Sequence, residues 1–430
     1  MKKTIFLFLF SFILILAEAK QLIRFSITKG YRKRISVVYP ASYLKGMKSE
    51  DIQIGKELEE VIRHDLELSG RISLFSASDE ANSLAKKESM SKTDFEAWAK
   101  VGTEFLLKTE TGMDLGVPKV SFVIYDCLRK QQLGGKKRSG SKKDYIQLGH
   151  EISDDILLAL TGKRGLGLTR IAYVSNLRGE KTIYSCDVNG KEVTQLVNTQ
   201  ALIISPCWGP NRESILYTSY QNVNPGIFIK YLNSGRIESI ALFPGLNTNG
   251  RLNGQNELVF TASKDGNPEI YVKNLNTGII KRLTKRRGVD ASPAWSPDNK
   301  IIAFVSSETG ISPQVYLMNR DGSNIRRLTF GNNYNSSPAF SPDGKYLAYA
   351  SVFDKKFCIA LYDFAENNAD FLVKDMGDAE APCWAPDSLH VAFSSNKTGK
   401  YQIYIVDIET REIKPVTGPL HGNCTNPTWA

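Results

Sequence analysis

The residues of this chain best suited to chemistry are its histidines and cysteines, and their spacing favours neither catalysis nor metal binding. The four histidines are scattered at His64, His150, His390 and His421. The six cysteines are equally dispersed, at Cys127, Cys186, Cys207, Cys358, Cys383 and Cys424. No two of them have the close spacing of zinc ligands. We therefore predict no catalytic residue, no metal site and no cofactor.

The amino terminus predicts that the protein is exported. Two lysines precede an apolar run over residues 5–16, which ends in the small-x-small pattern of Ala17, Glu18 and Ala19. These are the parts of a secretory signal peptide, and the run is shorter than the roughly 20 residues of a membrane span. We predict a signal peptide over residues 1–19 and a mature protein without a transmembrane segment.

The charge of the chain is basic but scattered. The formal net charge is +10, and short basic runs occur at residues 32–34 and 136–138. Such runs are usually solvated surface, and nucleic acid is not an expected partner of an exported protein. An anionic envelope surface or an acidic protein partner is the better interpretation.

One short pattern recurs six times in the last two thirds of the chain. Each copy has an aromatic residue inside an apolar run that ends in a small residue, at Tyr173, Tyr217, Phe260, Phe304, Tyr349 and Phe393. The copies are spaced 43 to 45 residues apart. Repeats of this length that consist of short strands are typical of β-propeller blades.

Each copy predicts four short strands. The turn sequences SPDN at residues 296–299 and SPDG at residues 341–344 join the first strand to the second, because Pro, Asp and Gly favour tight turns. Aromatic and β-branched residues between such turns favour strands over helices. We therefore predict an all-β, six-bladed β-propeller with four-stranded blades over residues 164–430.

The two ends of the repeat region predict how the ring closes. The first copy begins at Arg170 with its second strand, and residues 426–430 look like a first strand with nothing after it. We expect the carboxyl-terminal strand to complete the first blade, which would also remove an exposed sheet edge.

The first strand of most copies carries a proline followed two residues later by an aromatic. The prolines are Pro206, Pro293, Pro338, Pro382 and Pro427, and the aromatics are Trp208, Trp295, Phe340, Trp384 and Trp429. Proline is tolerated at an edge that faces a channel, and the aromatic can fill the wedge between blades. In the third copy the pattern assigns the proline position to Asn249 and the aromatic position to Arg251.

Residues 20–163 lack the repeat and alternate between strand and helix patterns. Strands are expected near residues 34–40, 104–111 and 119–126, and helices over 52–68, 93–101 and 143–160. This alternation predicts a small α/β domain in front of the propeller, which we assign to residues 44–163.

The combination of these features resembles a known family. A signal peptide, a small α/β domain, the segment ALTGKRGLGLTRIAYVS at residues 159–175 and six blades with SPDG-type turns are together similar to the TolB family of the periplasmic Tol–Pal envelope system. The similarity extends over nearly the whole chain. It implies a periplasmic, non-enzymatic adaptor that serves outer-membrane integrity and envelope constriction during cell division.

The resemblance also implies two partners. In this family the mouth of the propeller channel binds Pal, a peptidoglycan-associated lipoprotein, and the segment after signal cleavage contacts TolA of the inner membrane. Residues 20–43 would be that segment here. Its expected contact residues are Gln21, Leu22, Ile23 and Arg24.

The linker predicts which face of the propeller is free for a partner. It enters at Arg170, on the face that carries the SPDG turns, so the α/β domain should lie there and a partner on the opposite face. The expected mouth residues are Ser205, Leu246, Asn247, Thr248, Asp290, Ala291, Asn335, Ser336, Glu380 and Thr425. Family members can carry a Pal-contacting histidine in the loop where this chain has Leu246.

An enzyme is the alternative function. Propellers of this type also cap serine peptidases, but those need a G-x-S-x-G turn, which this sequence lacks. A periplasmic carbohydrate-active propeller, a lyase or a hydrolase, would need histidines, carboxylates or a metal that converge in the channel. Binding to a Pal-like lipoprotein would distinguish the adaptor from such an enzyme.

Overall fold

The computed structural model describes residues 34–430 apart from positions 46, 77, 309, 311, 331 and 332. The predicted signal peptide and the expected contact residues Gln21, Leu22, Ile23 and Arg24 lie outside the described residues. Within the described part of the chain, no helix is long and apolar enough to cross a membrane.

The amino-terminal part is a small α/β domain, as predicted. Its elements are β1 (Ile35–Tyr39), β2 (Tyr43–Lys45), α1 (Ser49–Leu68), β3 (Ile72–Ser76), α2 (Asp79–Lys87), α3 (Phe95–Lys100), β4 (Phe105–Asp114), β5 (Val117–Asp126), β6 (Gln131–Ser139) and α4 (Tyr145–Thr161). The strand order is β3-β1-β4-β5-β6, and β2 pairs with β4. The sheet therefore starts at Ile35, before residue 44, where we had placed the start of this domain.

Helices α1 and α4 pack on this sheet through their apolar faces. Leu58 and Ile62 of α1 and Ile152 of α4 are buried in one cluster with Val37 and Phe122 of the sheet. A spacing of four residues, as between Leu58 and Ile62 or between Ile152 and Ile156, places apolar side chains on one side of each helix. Burying them stabilises the domain by roughly 1.5–3 kcal/mol for each large side chain.

The remaining strands form a six-bladed propeller, which confirms the predicted fold. They are β7 (Ile171–Ser175), β8 (Thr182–Cys186), β9 (Thr194–Gln195), β10 (Ile203–Trp208), β11 (Ser214–Ser219), β12 (Gly226–Tyr231), β13 (Ile237–Ala241), β14 (Asn247–Leu252), β15 (Glu257–Ala262), β16 (Glu269–Asn274), β17 (Ile280–Arg282), β18 (Asp290–Trp295), β19 (Ile301–Ser306), β20 (Gln314–Asn319), β21 (Arg326–Arg327), β22 (Asn335–Phe340), β23 (Tyr346–Phe353), β24 (Lys356–Asp363), β25 (Asn368–Val373), β26 (Ala379–Trp384), β27 (His390–Ser395), β28 (Gln402–Asp407), β29 (Ile413–Pro415) and β30 (Cys424–Trp429).

Blade one consists of β30, β7, β8 and β9, and each later blade takes the next four strands in order. Strand β30 is antiparallel to β7, with Trp429 opposite Ile171. The backbones of Arg170 and Ala430 exchange two hydrogen bonds of 2.9 and 3.1 Å. The carboxyl-terminal strand therefore closes the ring, as predicted.

Every inner strand contains the same bulge. Its third residue has a positive φ of 51° to 55°, at Ser205, Asn249, Ser292, Ser337, Ala381 and Asn426. The pairing register shifts at this point in all six blades. A bulge leaves its extra residue unpaired, so the proline that follows in five blades interrupts no ladder bond.

This bulge corrects our alignment of the third copy. Because Asn249 is the left-handed residue of β14, Gly250 occupies the proline position and Leu252 the aromatic position. Our assignment to Asn249 and Arg251 was wrong by one residue. The reason is physical: asparagine tolerates the left-handed conformation that the bulge requires, whereas proline cannot adopt it.

The tryptophans of the inner strands connect neighbouring blades. The indole N–H of Trp295 donates to the backbone carbonyl of Arg251, in the preceding blade, at 3.2 Å. Trp384 donates to the carbonyl of Ala339 in the same way, at 2.9 Å. Each side chain therefore fills the wedge between two blades and pairs its one polar atom there.

Candidate partner-binding mouth of the propeller channel

The α/β domain lies on the propeller face that carries the turns between the third and fourth strands. His150 of α4 contacts Asp187, which follows β8. Arg34 forms an ion pair of 3.1 Å with Glu412, between β28 and β29. The turns between the first and second strands belong to the same face, so the domain lies on the predicted side.

The mouth is the opposite end of the channel, where the inner strands begin. Their first residues are Ile203, Asn247, Asp290, Asn335, Ala379 and Cys424, and all of them are buried. Their second residues are Ile204, Thr248, Ala291, Ser336, Glu380 and Thr425, which are partly exposed except for Thr248. Successive side chains of a strand point in opposite directions, so the second residues are the ones able to contact a partner.

Two of the expected mouth residues hold their own loops. The side-chain amide of Asn247 donates to the carbonyls of Phe243 and Pro225 at 2.7 and 3.0 Å. The amide of Asn335 donates to Oε1 of Gln314 at 3.0 Å. Since both residues are buried, they shape the rim and are not accessible from outside.

A chain of hydrogen bonds crosses the bulges of three neighbouring blades. Ser205 donates to Oδ1 of Asn249 at 2.9 Å, and Nδ2 of Asn249 donates to Ser292 at 2.7 Å. Thr248 also donates to Oδ1 of Asn249, at 2.8 Å. Sequence reasoning missed Asn249 as a site residue, because we had assigned it to the proline position of the repeat.

Two acidic residues of the rim have raised pKa values. Burial, and then the charge of Asp378, raise the pKa of Glu380, although the Tyr401 hydroxyl donates to it at 3.2 Å. Burial raises the pKa of Asp290 from its ordinary value of 3.8 to about 6. Of the two, only Glu380 is partly exposed and so able to meet hydrogen-bond donors or positive charge from outside, because Asp290 is completely buried.

The other expected residues are distributed around the rim. Leu246 is partly exposed, and its backbone N–H donates to Ser263 Oγ at 2.8 Å. Ala291, Ser336 and Thr425 are the partly exposed second residues of blades four, five and one. Together with Glu380 they form a broad ring of small and polar side chains.

The cysteines of the channel and two of the histidines have surroundings that the structure describes. The fifth residues of the inner strands include Arg251, Cys207 and Cys383. Burial raises the pKa of the Cys207 and Cys383 thiols. A thiol with a raised pKa is a poor nucleophile. His390 is paired with Asp387 at 2.8 Å, and His421 with the carbonyl of Gly190 at 2.7 Å. Among the described residues, no group of three or more His, Cys, Asp or Glu side chains could hold a metal ion.

The chain is similar to known proteins along most of its length. A family model described as the TolB beta propeller domain matches residues 158–430, and one described as the TolB amino-terminal domain matches residues 23–133. A Tol-Pal system protein TolB from Bordetella parapertussis is 31% identical over 87% of this chain and 84% of that protein. Another from Hahella chejuensis is 33% identical over 58% of this chain and 57% of that protein. With three further relatives of this group, the alignments span 38% to 50% of those proteins.

A solved structure has the same architecture. The crystal structure of TolB from Acinetobacter baumannii superposes with a TM-score of 0.80 and 26% sequence identity, and the match covers 94% of this chain and 98% of that one. The propeller family model alone covers more than half of the chain, so the similarity is not confined to the turn motif. The chain belongs to the TolB family of the Tol–Pal system.

Proposed function

We propose that this protein is a non-enzymatic adaptor of the periplasm. It binds a Pal-like peptidoglycan-associated lipoprotein at the mouth of the propeller channel and a TolA-like inner-membrane protein through its amino-terminal segment. In this role it maintains outer-membrane integrity and supports envelope constriction during cell division. The proposal rests on membership of the family together with the geometry of the mouth.

The observation that supports the mouth as the Pal-binding surface is its position. The α/β domain contacts the propeller through Asp187 and Glu412, which lie on the other face. A protein can therefore approach the mouth without displacing this domain. The inner strands that border the mouth share the same bulge in all six blades.

The exposed rim residues suit a protein surface better than a small substrate. Ala291, Ser336 and Thr425 are small, so a partner loop can pass between them into the channel. Glu380 adds a carboxylate that can accept hydrogen bonds from backbone amides or basic side chains.

The proposal is tested with purified Pal-like lipoprotein that lacks its lipid, by isothermal titration calorimetry. Ala291→Trp narrows the mouth and Glu380→Lys reverses its charge, and each should weaken binding at least about tenfold, which is the change expected for the loss of about 1.4 kcal/mol. The matched control is Lys300→Glu on the turn of the other face, where the side chain is 80% exposed. If both mouth variants bind as tightly as the control, the mouth is not the binding surface.

The TolA-like partner is tested separately. Deleting residues 20–33 should abolish binding to a TolA-like periplasmic domain and leave both the melting temperature and Pal binding unchanged. The amino-terminal family model begins its match at residue 23, inside this segment. Undiminished binding by the shortened protein would reject this part of the proposal.

A further inference from the structure

The loops that precede β18, β22 and β30 are each anchored by a buried polar network. The network before β18 differs from the other two in its residues. In blade four, Thr329 donates to Oε1 of Gln314 at 2.9 Å, and the amide of Asn335 donates to the same oxygen at 3.0 Å. The other end of the Gln314 side chain donates to the carbonyl of Asn333 at 2.7 Å. All members are neutral, and each side-chain donor named here has an acceptor.

Blade six repeats this arrangement. Thr417 donates to Oε1 of Gln402 at 2.7 Å, and Nε2 of Gln402 donates to the carbonyl of Gly422 at 2.8 Å. The threonine hydroxyl in turn accepts from the N–H of Ile403 at 2.8 Å. A glutamine that begins the third strand and a threonine that follows the fourth therefore anchor the loop before the next inner strand.

Between blades three and four, acids replace two of these neutral groups. Glu269 stands at the glutamine position and Asp290 at the position of Asn335, and both are completely buried. Glu269 is well paired: it accepts from Arg282 at 3.0 Å, from the N–H of Arg286 at 2.9 Å, and from the hydroxyl of Thr284. It has the same anchoring role as the glutamines.

Asp290 is not paired in this way. Neither of its carboxylate oxygens has a hydrogen-bond partner among the described residues, although the hydroxyls of Ser306 and Thr284 are near enough to lower its pKa somewhat. In the neighbouring blade the corresponding amide donates to the glutamine oxygen. An ionised Asp290 has no proton with which to donate to Glu269.

The charges around Asp290 give little compensation. Glu269, from β16, opposes ionisation, and Arg286, from the loop before β18, favours it. Arg286 is itself held by an ion pair with Glu308 and lies over the ring of Tyr316 at 4.5 Å. An ionised carboxylate that is buried beside another carboxylate is costly.

We propose that Asp290 is a proton-operated switch for the loop of residues 285–289 at the rim of the mouth. When protonated, Asp290 donates to Glu269 as Asn335 donates to Gln314, and the loop keeps its described conformation. When ionised, it is repelled by Glu269, and the loop opens so that the carboxylate reaches water or Arg286. The effect of this opening on a Pal-like partner rests on the proposed function, but the switch itself does not.

The direction of the pH dependence follows from the raised pKa of Asp290, which moves from 3.8 to about 6. The folded protein holds this proton more tightly than the unfolded chain does. The stabilisation is therefore fully present below pH 3.8 and is lost as the pH rises through about 6. A difference of about two pKa units between the folded and unfolded states corresponds to about a hundredfold change in the folding equilibrium constant.

The deciding experiment compares the wild type with Asp290→Asn by urea denaturation between pH 4 and pH 7.5. The amide reproduces the neutral group of the neighbouring blade, so the variant should lack the pH dependence of Asp290. Relative to the variant, the folding constant of the wild type should fall by up to about a hundredfold over this range. Parallel pH profiles for the two proteins would overturn the switch.

The loop itself is observed by hydrogen exchange. The amide of Arg286, which donates to Glu269, should lose protection in the wild type between pH 5 and pH 7.5 after correction for intrinsic rates, and should keep it in Asp290→Asn. Equal protection in both proteins at pH 7.5 would show that no opening occurs. The reciprocal variant Asn335→Asp should create a second such pH dependence in the next blade.

Binding of a Pal-like protein at pH 5.5 and pH 7.5 separates this inference from the proposed function. A pH effect on affinity in the wild type that is absent in Asp290→Asn supports the switch acting on the partner. Failure to bind at either pH would reject the proposed function, while the denaturation and exchange results would still decide the switch.

Discussion

The imidazole of His150 joins the two domains. Its Nδ1 atom lies 2.7 Å from Oδ2 of Asp65 in helix α1, and its Nε2 atom lies 3.2 Å from Oδ2 of Asp187 in the first blade. The three side chains are only 1% to 2% exposed. Ser153 also donates to Asp65, at 2.6 Å. A charged ring between two buried carboxylates holds the α/β domain on the propeller.

The first prediction concerns the strength of this contact. His150→Gln leaves two buried carboxylates without their cation, so it should lower the free energy of unfolding by about 3–5 kcal/mol. Urea denaturation at pH 7 measures the change. Gln147→Ala, on the exposed side of the same helix, is the control and should change stability by less than about 0.5 kcal/mol. If His150→Gln is as stable as this control, the contact contributes nothing to the free energy of unfolding.

The second prediction concerns the loss of stability when His150 loses its proton at alkaline pH. Burial alone would lower the pKa of His150, but hydrogen bonds to Asp187 and Asp65 outweigh burial and raise the pKa to about 10. Because the folded-state pKa is raised, the stabilisation is complete below the ordinary value of 6.5 and is lost as the pH rises through 10. The wild type should therefore lose stability towards pH 10 more steeply than His150→Gln. A melting series between pH 7 and pH 10 checks this, and identical slopes would contradict it.

The repeat was predictable because each blade must solve the same packing problem. An aromatic such as Phe304 or Tyr349 is needed at the same depth of every second strand, so the sequence repeats with the blade. The register of the third inner strand was not predictable in this way. Its left-handed position is a conformational requirement that Asn249 and Ser292 both meet, and the identity of the residue alone does not reveal it.

Side-chain pairings in the α/β domain and at the mouth were also not predictable from the sequence. The basic run at residues 136–138, which we interpreted as solvated surface, lies in the edge strand β6 with Lys136 and Lys137 exposed, and Lys136 also pairs with Asp155 at 2.9 Å. Charged side chains suit a sheet edge, and the acid that pairs with them comes from a helix further along the chain. Likewise, the burial of Asn335 depends on Gln314, and such pairings appear only once the fold is known.

The third prediction concerns the closure of the ring. Trp429 is 7% exposed and its indole N–H donates to Thr169 at 2.7 Å. Trp429→Ala should lower the free energy of unfolding by about 3–5 kcal/mol, since it leaves a large cavity between the first and last blades. The control is Leu420→Ala, because Leu420 is 88% exposed. Urea denaturation measures both, and equal stabilities would show that the last strand does not secure the ring.

The fourth prediction tests the corrected register of the third blade. A Cβ atom added at Gly250 would lie 2.9 Å from a methyl group of Ile227 and 3.1 Å from one of Leu258, whereas one added at Gly254 would meet nothing within 4 Å. Neither glycine has a positive φ, so the two positions differ in the room available for a side chain and not in backbone strain. Gly250→Ala should therefore cost about 1–3 kcal/mol of unfolding free energy through overpacking. Gly254→Ala should be neutral or slightly stabilising, because alanine restricts the unfolded chain. Thermal denaturation of the two alanine variants side by side is the measurement. A neutral Gly250→Ala would mean that Gly250 of β14 does not face Ile227 of blade two in this register.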